Sequence, residues 1–580
     1  LTLAALSLSV RLDLDALPDI TSNQVQVLTR APGLTPEEVE LRVTRPIEVA
    51  LGGLPGLDHH RSLSRFGLSA VTVVFDDATD RYRARQLVSE RVAMAAGALP
   101  LGVDAPELGP MTGGLGEVFH FTVESPGRTP AELLELAEQR VVPILRAAEG
   151  VVEVNTWGGA RRTLEVRADP ARMAPLGVTL AALRETIAQA VTTVPGGALP
   201  LGETQVLLRG ARPTTTPSDV GNLSVATARG EPVRVADVAD VGLGALPRIG
   251  AATADGRGET VYVMVQMLSG ANARDVTARI RARMPEVRRV LPDDVVIRMV
   301  YDRAELVDAT LRTVGKNLLE GGLLVTLILL LTLGSLRAGL LVAASIPVAM
   351  ALATAAMVLL HIPGNLMSLG ALDFGLLVDG AVVLIENVFH RTPGDTRAWP
   401  DRVEDACVRV ARPSYYGVLI ILLVYVPVLS LAGVDGKLFR PMALTVVLAL
   451  VAALVFTLTF VPAAAAAWLR ERDLPQGAPR VVQLIERVHT ALLGRAVARP
   501  GVVLGLALGS LVAAGVAYTH AGTELAPELD EGDLVIQTTR RPDLSLDGAV
   551  RAAGHMERTV RAAAPEVLQI VSRVGSPAVA

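Results

Sequence analysis

Six stretches of this chain, residues 318–336, 340–360, 366–389, 414–432, 442–469 and 502–518, are nearly unbroken apolar runs. Most approach the ~20 residues that a helix needs to cross a hydrocarbon layer. No other feature restricts the fold as much, because backbone groups inside a bilayer must be satisfied within the spanning element itself. A helical membrane bundle follows. One run is anomalous: "SLGALDFGLLVDGAVVLIEN", residues 368–387, carries Asp373, Asp379 and Glu386. An ionised group at mid-bilayer costs roughly 2.5–3.5 kcal/mol, and a Leu, Ile, Val or Phe gains only about 0.3–0.6. Three carboxylates therefore roughly cancel the apolar gain. Such a helix is stable only among partner helices, with its acids facing an interior or a wet cavity, and that pattern marks an ion or proton pathway.

The links between the runs set an orientation. "GSLRAG" carries Arg337, "HRTPGDTRAWPDRVEDACVRVARP" carries five arginines, and residues 470–499 carry six. The alternate links are poorer: "HIPGN" has no basic residue, and "AGVDGKLFR" has only Lys437 and Arg440. By the positive-inside rule the Arg-rich links are cytoplasmic, which places the polar regions before residue 318 and after residue 519 outside. Within the last link, "RVVQLIERVHTALLGRAV" has apolar residues at helical spacing and predicts an amphipathic helix on the inner surface. Residues 1–10, "LTLAALSLSV", are too short to span and lack a basic leader and a cleavage site. They read as the end of a preceding membrane helix. The close, "SPAVA", is equally abrupt, so the chain reads as incomplete at both ends.

From Pro18 to about Tyr301 the pattern is α/β. "NQVQVLTR" and "SAVTVVF" alternate like strands. Thr35-Pro36-Glu37-Glu38 and Thr129-Pro130-Ala131-Glu132 each set a proline at the first helical position inside a capping box. Strands "EVFHFTVES", "VVEVNTW", "ETVYVMVQML" and "DVVIRMVYD" flank helical segments, and such strand–helix–strand units suggest ferredoxin-like split βαβ subdomains. Residues 164–246 are richer in Gly, Pro and Thr and predict an inserted module. The stretch with "DGAVRAAGHMERTVRAA" repeats the outer grammar after the last apolar run. A composition of 51% hydrophobic but still 19% charged residues fits a membrane part joined to a large polar part. The net charge of −5 gives no basic footprint, so nucleic acid is not an expected partner. The single cysteine, Cys407, excludes an intrachain disulfide framework and a cysteine-cluster metal site.

On one continuous helix, Asp379 and Glu386 are seven residues apart, about 20° off a common line and roughly 10 Å apart along the axis. Asp373 would stand about 9 Å from Asp379 along the axis and ~120° around it. Gly370, Ala371, Gly375, Gly380 and Ala381 let neighbouring helices come close. Other spans hold almost no basic residue away from their ends, which argues against purely structural ion pairing of the acids. No Walker motif is present, so the energy source is an ion gradient rather than ATP.

The order of half span, outer α/β region, six spans and second outer region resembles the resistance–nodulation–cell division superfamily. "NLMSLGALDFGLLVDGAVVLIEN", "DALPDITSNQVQV", "PIEVALGGLPGL", "YDRAELVDAT", "VDGKLFRPMALTVVLAL" and "ELAPELDEGD" are similar to its heavy-metal efflux branch, the cobalt–zinc–cadmium type of inner-membrane pump. The resemblance implies an α-helical transmembrane bundle, one remnant plus six spans, carrying periplasmic α+β porter subdomains. Residues 1–10 would end the first membrane helix and 11–112 form the first porter subdomain. Residues 113–163 and 247–315 would form the second, and 164–246 a docking insertion. Helices two to six would occupy 316–469, a cytoplasmic amphipathic helix 470–499, helix seven 500–520, and the start of a second periplasmic domain 521–580. It also implies a proton and cation relay at Asp373, Asp379 and Glu386, and a homotrimer in the bacterial inner membrane. A periplasmic adaptor and an outer-membrane channel would be its partners, with no bound cofactor beyond the transported ion and the proton gradient.

The metal is read from fewer residues. Copper and silver members of the branch place a Met two residues before the central Asp, and here that position is Leu377. Carboxylates without that thioether favour a divalent ion of the zinc, cobalt, cadmium or nickel group. Met367 is a weak candidate ligand. His59 and His60 are neighbours, so on a strand they point to opposite faces. They read as surface residues, and His120 reads as a strand histidine. Copper and silver efflux and drug efflux within the same superfamily remain alternatives. An intramembrane aspartyl protease needs two carboxyls close enough to share a proton, which the spacing of Asp373 and Asp379 disfavours.

Overall fold

A computed structural model describes residues 12, 15, 18–191, 195–209, 216–225, 232–246, 248, 250–370, 373–392, 397–474, 480–522, 532–541 and 543–575. The expected membrane remnant at 1–10 lies outside the described residues. The chain divides into two compact units, Leu1–Val118 with Met267–Arg279 and Asp302–Thr538, and Phe119–Gln266 with Ile280–Tyr301 and Thr539–Ala580.

The first unit opens with a four-stranded sheet in the order Leu57–Arg65, Leu68–Phe75, Asn23–Arg30, Glu107–Leu108. Asn23–Arg30 alternates as its sequence dictates, with Val25, Val27 and Thr29 buried and Gln24 and Gln26 exposed. The capping box at Thr35 forms: the Glu38 N–H donates to Thr35 Oγ1 and the Thr35 N–H donates to Glu38 Oε2. It starts a helix that buries Val39, Val43, Ile47 and Leu51, one residue per turn, beside Ala84, Val88 and Val92 of helix Arg81–Ala96. The first helix widens to a π turn at Glu40–Thr44, two residues before Pro46. The same happens at Ala137–Val141, two residues before Pro143. A proline ring clashes with the carbonyl four residues back, and a wider turn relieves the clash.

The rest of this unit is helical. Six helical stretches among the described residues are long and apolar enough to cross a membrane: Arg303–Leu333, Leu336–Leu359, Met367–Arg391 (Ala371 and Leu372 lying outside the described residues), Trp399–Leu429, Gly433–Trp468 and Pro500–His520. Ala338, Leu341, Val342, Ala381, Leu384, Ile385, Val388, Val461 and Ala465 form one packed core between them, and Ala349, Ala353, Leu377, Val446 and Leu450 belong to a second. Leu319, Leu323, Leu327, Leu423, Val424, Leu504 and Leu511 stay exposed, the distribution of a bundle whose outside meets lipid. The predicted amphipathic helix is present as Arg480–Ala498.

The second unit is built on a sheet ordered Val296–Asp302, Glu117–Glu124, Glu259–Met267, Gly250–Ala254, Val571–Gly575, with Val151–Trp157 also paired to Glu259–Met267. The last strand comes from the stretch 521–580, expected to open a second outer domain. It pairs antiparallel with Gly250–Ala254, Gly250 opposite Gly575 and Ala254 opposite Val571. Helix Leu546–Ala563 precedes it. That helix's Glu557 is buried and accepts hydrogen bonds from Thr253 Oγ1, the Gly256 N–H and Ser572 Oγ. Within residues 164–246, Met173, Val178, Leu183, Val220, Val225, Val233, Val235 and Val238 form a small core of their own.

His120 is a core residue of the second sheet. Its Nδ1 shares a 2.7 Å hydrogen bond with the Tyr262 hydroxyl, and its ring lies against Tyr262 and Tyr301. Burial, aided by the positive charge of Arg573, pushes its pKa down to about 3. The folded chain therefore holds a neutral imidazole where the unfolded chain takes up a proton near pH 6.5. Stability is level above that pH and falls as pH drops toward 3, by about 2 kcal/mol at pH 5. His120→Gln is expected to flatten the fall in melting temperature of the purified chain between pH 7.5 and 5. An unchanged slope would contradict the assignment.

Candidate functional site

The acidic helix is shorter than its apolar run. It is helical over Phe374–Arg391, after a separate turn at Leu366–Gly370, with Ala371 and Leu372 outside the described residues. Asp373 has extended backbone angles, φ −90° and ψ 113°, and its carboxylate accepts the Gly375 N–H at 2.8 Å. It is the helix N-cap. The expectation that Asp373 sits ~120° around a continuous helix from Asp379 is therefore corrected: a short acid that offers an oxygen to the exposed N–H groups starts the helix where it stands.

Asp379 and Glu386 do share one helix, as expected. The buried stripe of that helix is Leu377, Val378, Ala381, Leu384, Ile385, Val388 and Phe389, the i, i+4, i+7 spacing of a packed face. Asp379, Val383, Glu386 and His390 form the opposite, exposed stripe. Among the described residues neither Asp379 nor Glu386 makes an ion pair or a side-chain hydrogen bond, so structural ion pairing is not what holds them. The small residues act where they face a neighbour. A Cβ on Gly380 would stand 3.3 Å from Thr457 Cγ2 of helix Gly433–Trp468. A Cβ on Gly321 would stand 3.1 Å from the Phe374 ring, so helix Arg303–Leu333 also comes close.

Leu377, the position used to read the metal, is buried in the apolar core with Ala349, Ala353 and Val446, away from the carboxylate stripe. Met367 is half-buried beside the buried Ser368, which exchanges hydrogen bonds with Asn365. Among the described residues there is no group of three or more His, Cys, Asp or Glu arranged to hold a metal ion. His59 and His60 lie on the exposed edge strand Leu57–Arg65, and the ring of His59 pairs with its neighbour Asp58.

The C-terminal end of the acidic helix depends on a residue that entered the sequence analysis only as a topology signal. Arg402 is 7% exposed. It donates to the carbonyl of Thr392, the C-cap of the acidic helix, at 3.0 Å, ion-pairs with Glu471, and lies over the Trp399 ring. Asn387 adds a hydrogen bond to the Ala406 carbonyl at 2.6 Å. One arginine thus ties together the ends of three helices. The Pro400 that follows Trp399 at the helix start was the available signal, since it fixes where that helix begins and Arg402 falls in its first turn.

A family model described as the AcrB/AcrD/AcrF family matches residues 2–580. The chain belongs to that family. It is 42% identical over 588 residues to the cobalt-zinc-cadmium resistance protein CzcA of Cupriavidus metallidurans, covering 98% of this chain and 55% of that protein. It is 38% identical over 611 residues to the nickel-cobalt-cadmium resistance protein NccA of Alcaligenes xylosoxydans, covering 98% and 56%. A crystal structure of a heavy metal efflux pump superposes with a TM-score of 0.84 at 34% identity, over 100% of this chain and 56% of that one. The chain therefore spans about half the length of the relatives it matches.

Asp373 offers a test that separates capping from charge. Asp373→Ala removes the cap and is expected to cost about 1 kcal/mol, read as a lower melting temperature, while Asp373→Asn costs only a few tenths. Equal falls in melting temperature for the two variants, or none with Ala, would contradict the cap.

Proposed function

We propose that this chain belongs to the inner-membrane component of an envelope-spanning pump that expels divalent heavy metals of the zinc, cobalt, cadmium and nickel group in exchange for protons. The observation that carries the reading is the pair Asp379 and Glu386, aligned on one stripe of an apolar helix and making no ion pair among the described residues. A carboxylate placed so has one low-cost way to lose its charge, which is to bind a proton. The names of the 42% and 38% identical relatives support the metal class.

In this mechanism Asp379 is the main proton carrier, Asp373 stands at the outer entrance and Glu386 at the inner exit. A proton arriving from the periplasm neutralises Asp379 and removes the cost of placing that group in the apolar layer, so the helix shifts against Gly380–Thr457 contact. Release of the proton inward restores the charge and resets the helix. Metal moves outward through the outer α/β region, the protein working as a trimer with an adaptor and an outer-membrane channel.

The proposed topology is six crossings with both outer regions periplasmic. Strand pairing supports it: Gly250–Ala254 and Val571–Gly575 share a sheet, so the chain between them must cross the membrane an even number of times. With Cys407 replaced by Ala, Gly127→Cys is expected to react with an impermeant thiol reagent applied to spheroplasts, and Glu404→Cys is not. The reverse labelling would overturn the orientation.

The transport test uses the gene encoding this chain in a strain lacking its own metal pumps. Asp379→Asn is expected to abolish protection against zinc, cobalt, cadmium and nickel while leaving expression and assembly intact. Wild-type export with Asn at 379 would remove the proton role. Protection against copper and silver alone would overturn the metal class, and protection against dyes without any metal would point to drug export.

A further inference from the structure

Helix Gly433–Trp468 ends at Trp468, and the chain turns through Arg470 into the short 3₁₀ turn Glu471–Asp473. Against this corner lies the first turn of helix Trp399–Leu429. Between them is an open groove of about 490 Å³, walled by Ala466, Ala467 and Trp399 and rimmed by Arg402, Arg470 and Glu471. Its chemistry is split. The indole N–H of Trp399 is already given to the Ala465 carbonyl at 3.3 Å, so the ring presents only its apolar body. The Glu471 carboxylate is held by Arg402, and Arg470 is exposed and makes no ion pair among the described residues. The cation open to the rim is therefore Arg470.

The location selects the ligand. Two of the chain's three tryptophans, Trp399 and the 65%-exposed Trp468, stand at this level, and Trp gathers at the boundary between hydrocarbon and water. From the groove an exposed stripe of Ala467, Ala463 and Phe460 continues along the apolar helix at i, i+4, i+7 spacing. A free phosphate would use the arginine but have no use for the apolar wall or the stripe. A zwitterionic phospholipid would use the wall, but the ammonium of its own headgroup already offsets its phosphodiester, so it answers the arginine less fully than a lipid with net negative charge.

We propose that this groove seats one anionic phospholipid of the adjoining leaflet, its phosphodiester on Arg470 at the rim and its acyl chains along Ala467 and the stripe below. The inference rests on the orientation proposed above but not on the proton and metal roles, since neither Asp379 nor Glu386 takes part. Basic pockets at helix ends on the cytoplasmic side suit such headgroups, and each arginine near the surface adds roughly five-fold to the affinity for an anionic lipid.

Native mass spectrometry of the purified full chain, titrated with phosphatidylglycerol or phosphatidylcholine in detergent, tests this. The expected result is retention of one phosphatidylglycerol at about five-fold lower concentration than phosphatidylcholine. Arg470→Gln is expected to erase that preference, while Arg61→Gln, on the exposed strand Leu57–Arg65, leaves it intact. Ala467→Leu fills the wall without touching charge and is expected to weaken retention of both lipids. Equal retention of the two lipids by the wild type, or a preference that survives Arg470→Gln, would overturn the proposal. Displacement of the lipid by millimolar inorganic phosphate would overturn it in favour of a free-anion site.

Discussion

One helix has to bury an apolar stripe and keep two carboxylates off it, and much of the bundle is arranged around that demand. Helix Phe374–Arg391 buries Leu377, Val378, Ala381, Leu384, Ile385, Val388 and Phe389 on one side and shows Asp379 and Glu386 on the other. Each charged acid costs roughly what five or more large apolar residues gain. The packed side must therefore be packed well. Gly380 lets the Thr457 methyl approach to within contact distance, Ala381 is fully buried, and Gly321 leaves room for the Phe374 ring. A helix held along one stripe and loaded with titratable groups on the other is a two-state element in waiting, since changing the charge alters one face and leaves the other intact.

Both ends of that helix are fixed by polar groups from short range or from neighbouring chain. Asp373 begins it through the Gly375 N–H, and Arg402 ends it through the Thr392 carbonyl. A helix C-terminus carries partial negative charge, so a buried guanidinium there is favoured by the dipole as well as by its hydrogen bond. Arg402 also holds Glu471, which offsets part of the cost of burying its charge. The C-terminal end of the acidic helix is therefore tied to two other helix ends, and the groove beside it is rimmed by the same ion pair.

Local grammar was legible in the sequence, and long-range pairing was not. The capping boxes at Thr35 and Thr129, the alternation of Asn23–Arg30 and the apolar runs all appear where the pattern placed them, because each is decided within a few residues. Strand Leu57–Arg65 was missed because it is an edge strand exposed on both faces, so "LDHHRSLSR" shows no apolar alternation. The helix start at Asp373 was missed because the apolar run continues through it, and composition does not record which acid turns back to cap. Arg402 reads in the sequence only as a topology signal because its partners, Thr392 and Glu471, lie 10 and 69 residues away. The alignment of Asp379 with Glu386 was legible, since seven residues on a helix return to the same face.

Strand Val571–Gly575 joins its sheet by pairing with Gly250–Ala254, more than 300 residues earlier in the chain. No apolar pattern could have announced that partner, yet the pairing has a physical consequence. Glu557 is buried only when its helix docks, and its donors Thr253 and Gly256 belong to the early part of the chain. Until that helix arrives, the Gly256 N–H and the Gly250–Ala254 edge lack these partners, and exposed edges invite wrong pairing. Closing so long a loop is slow because its entropy is lost before the contacts form. The Gly250–Ala254 edge can therefore gain this partner only after the six apolar helices between have been made, which links the pairing of this sheet to the synthesis of those helices.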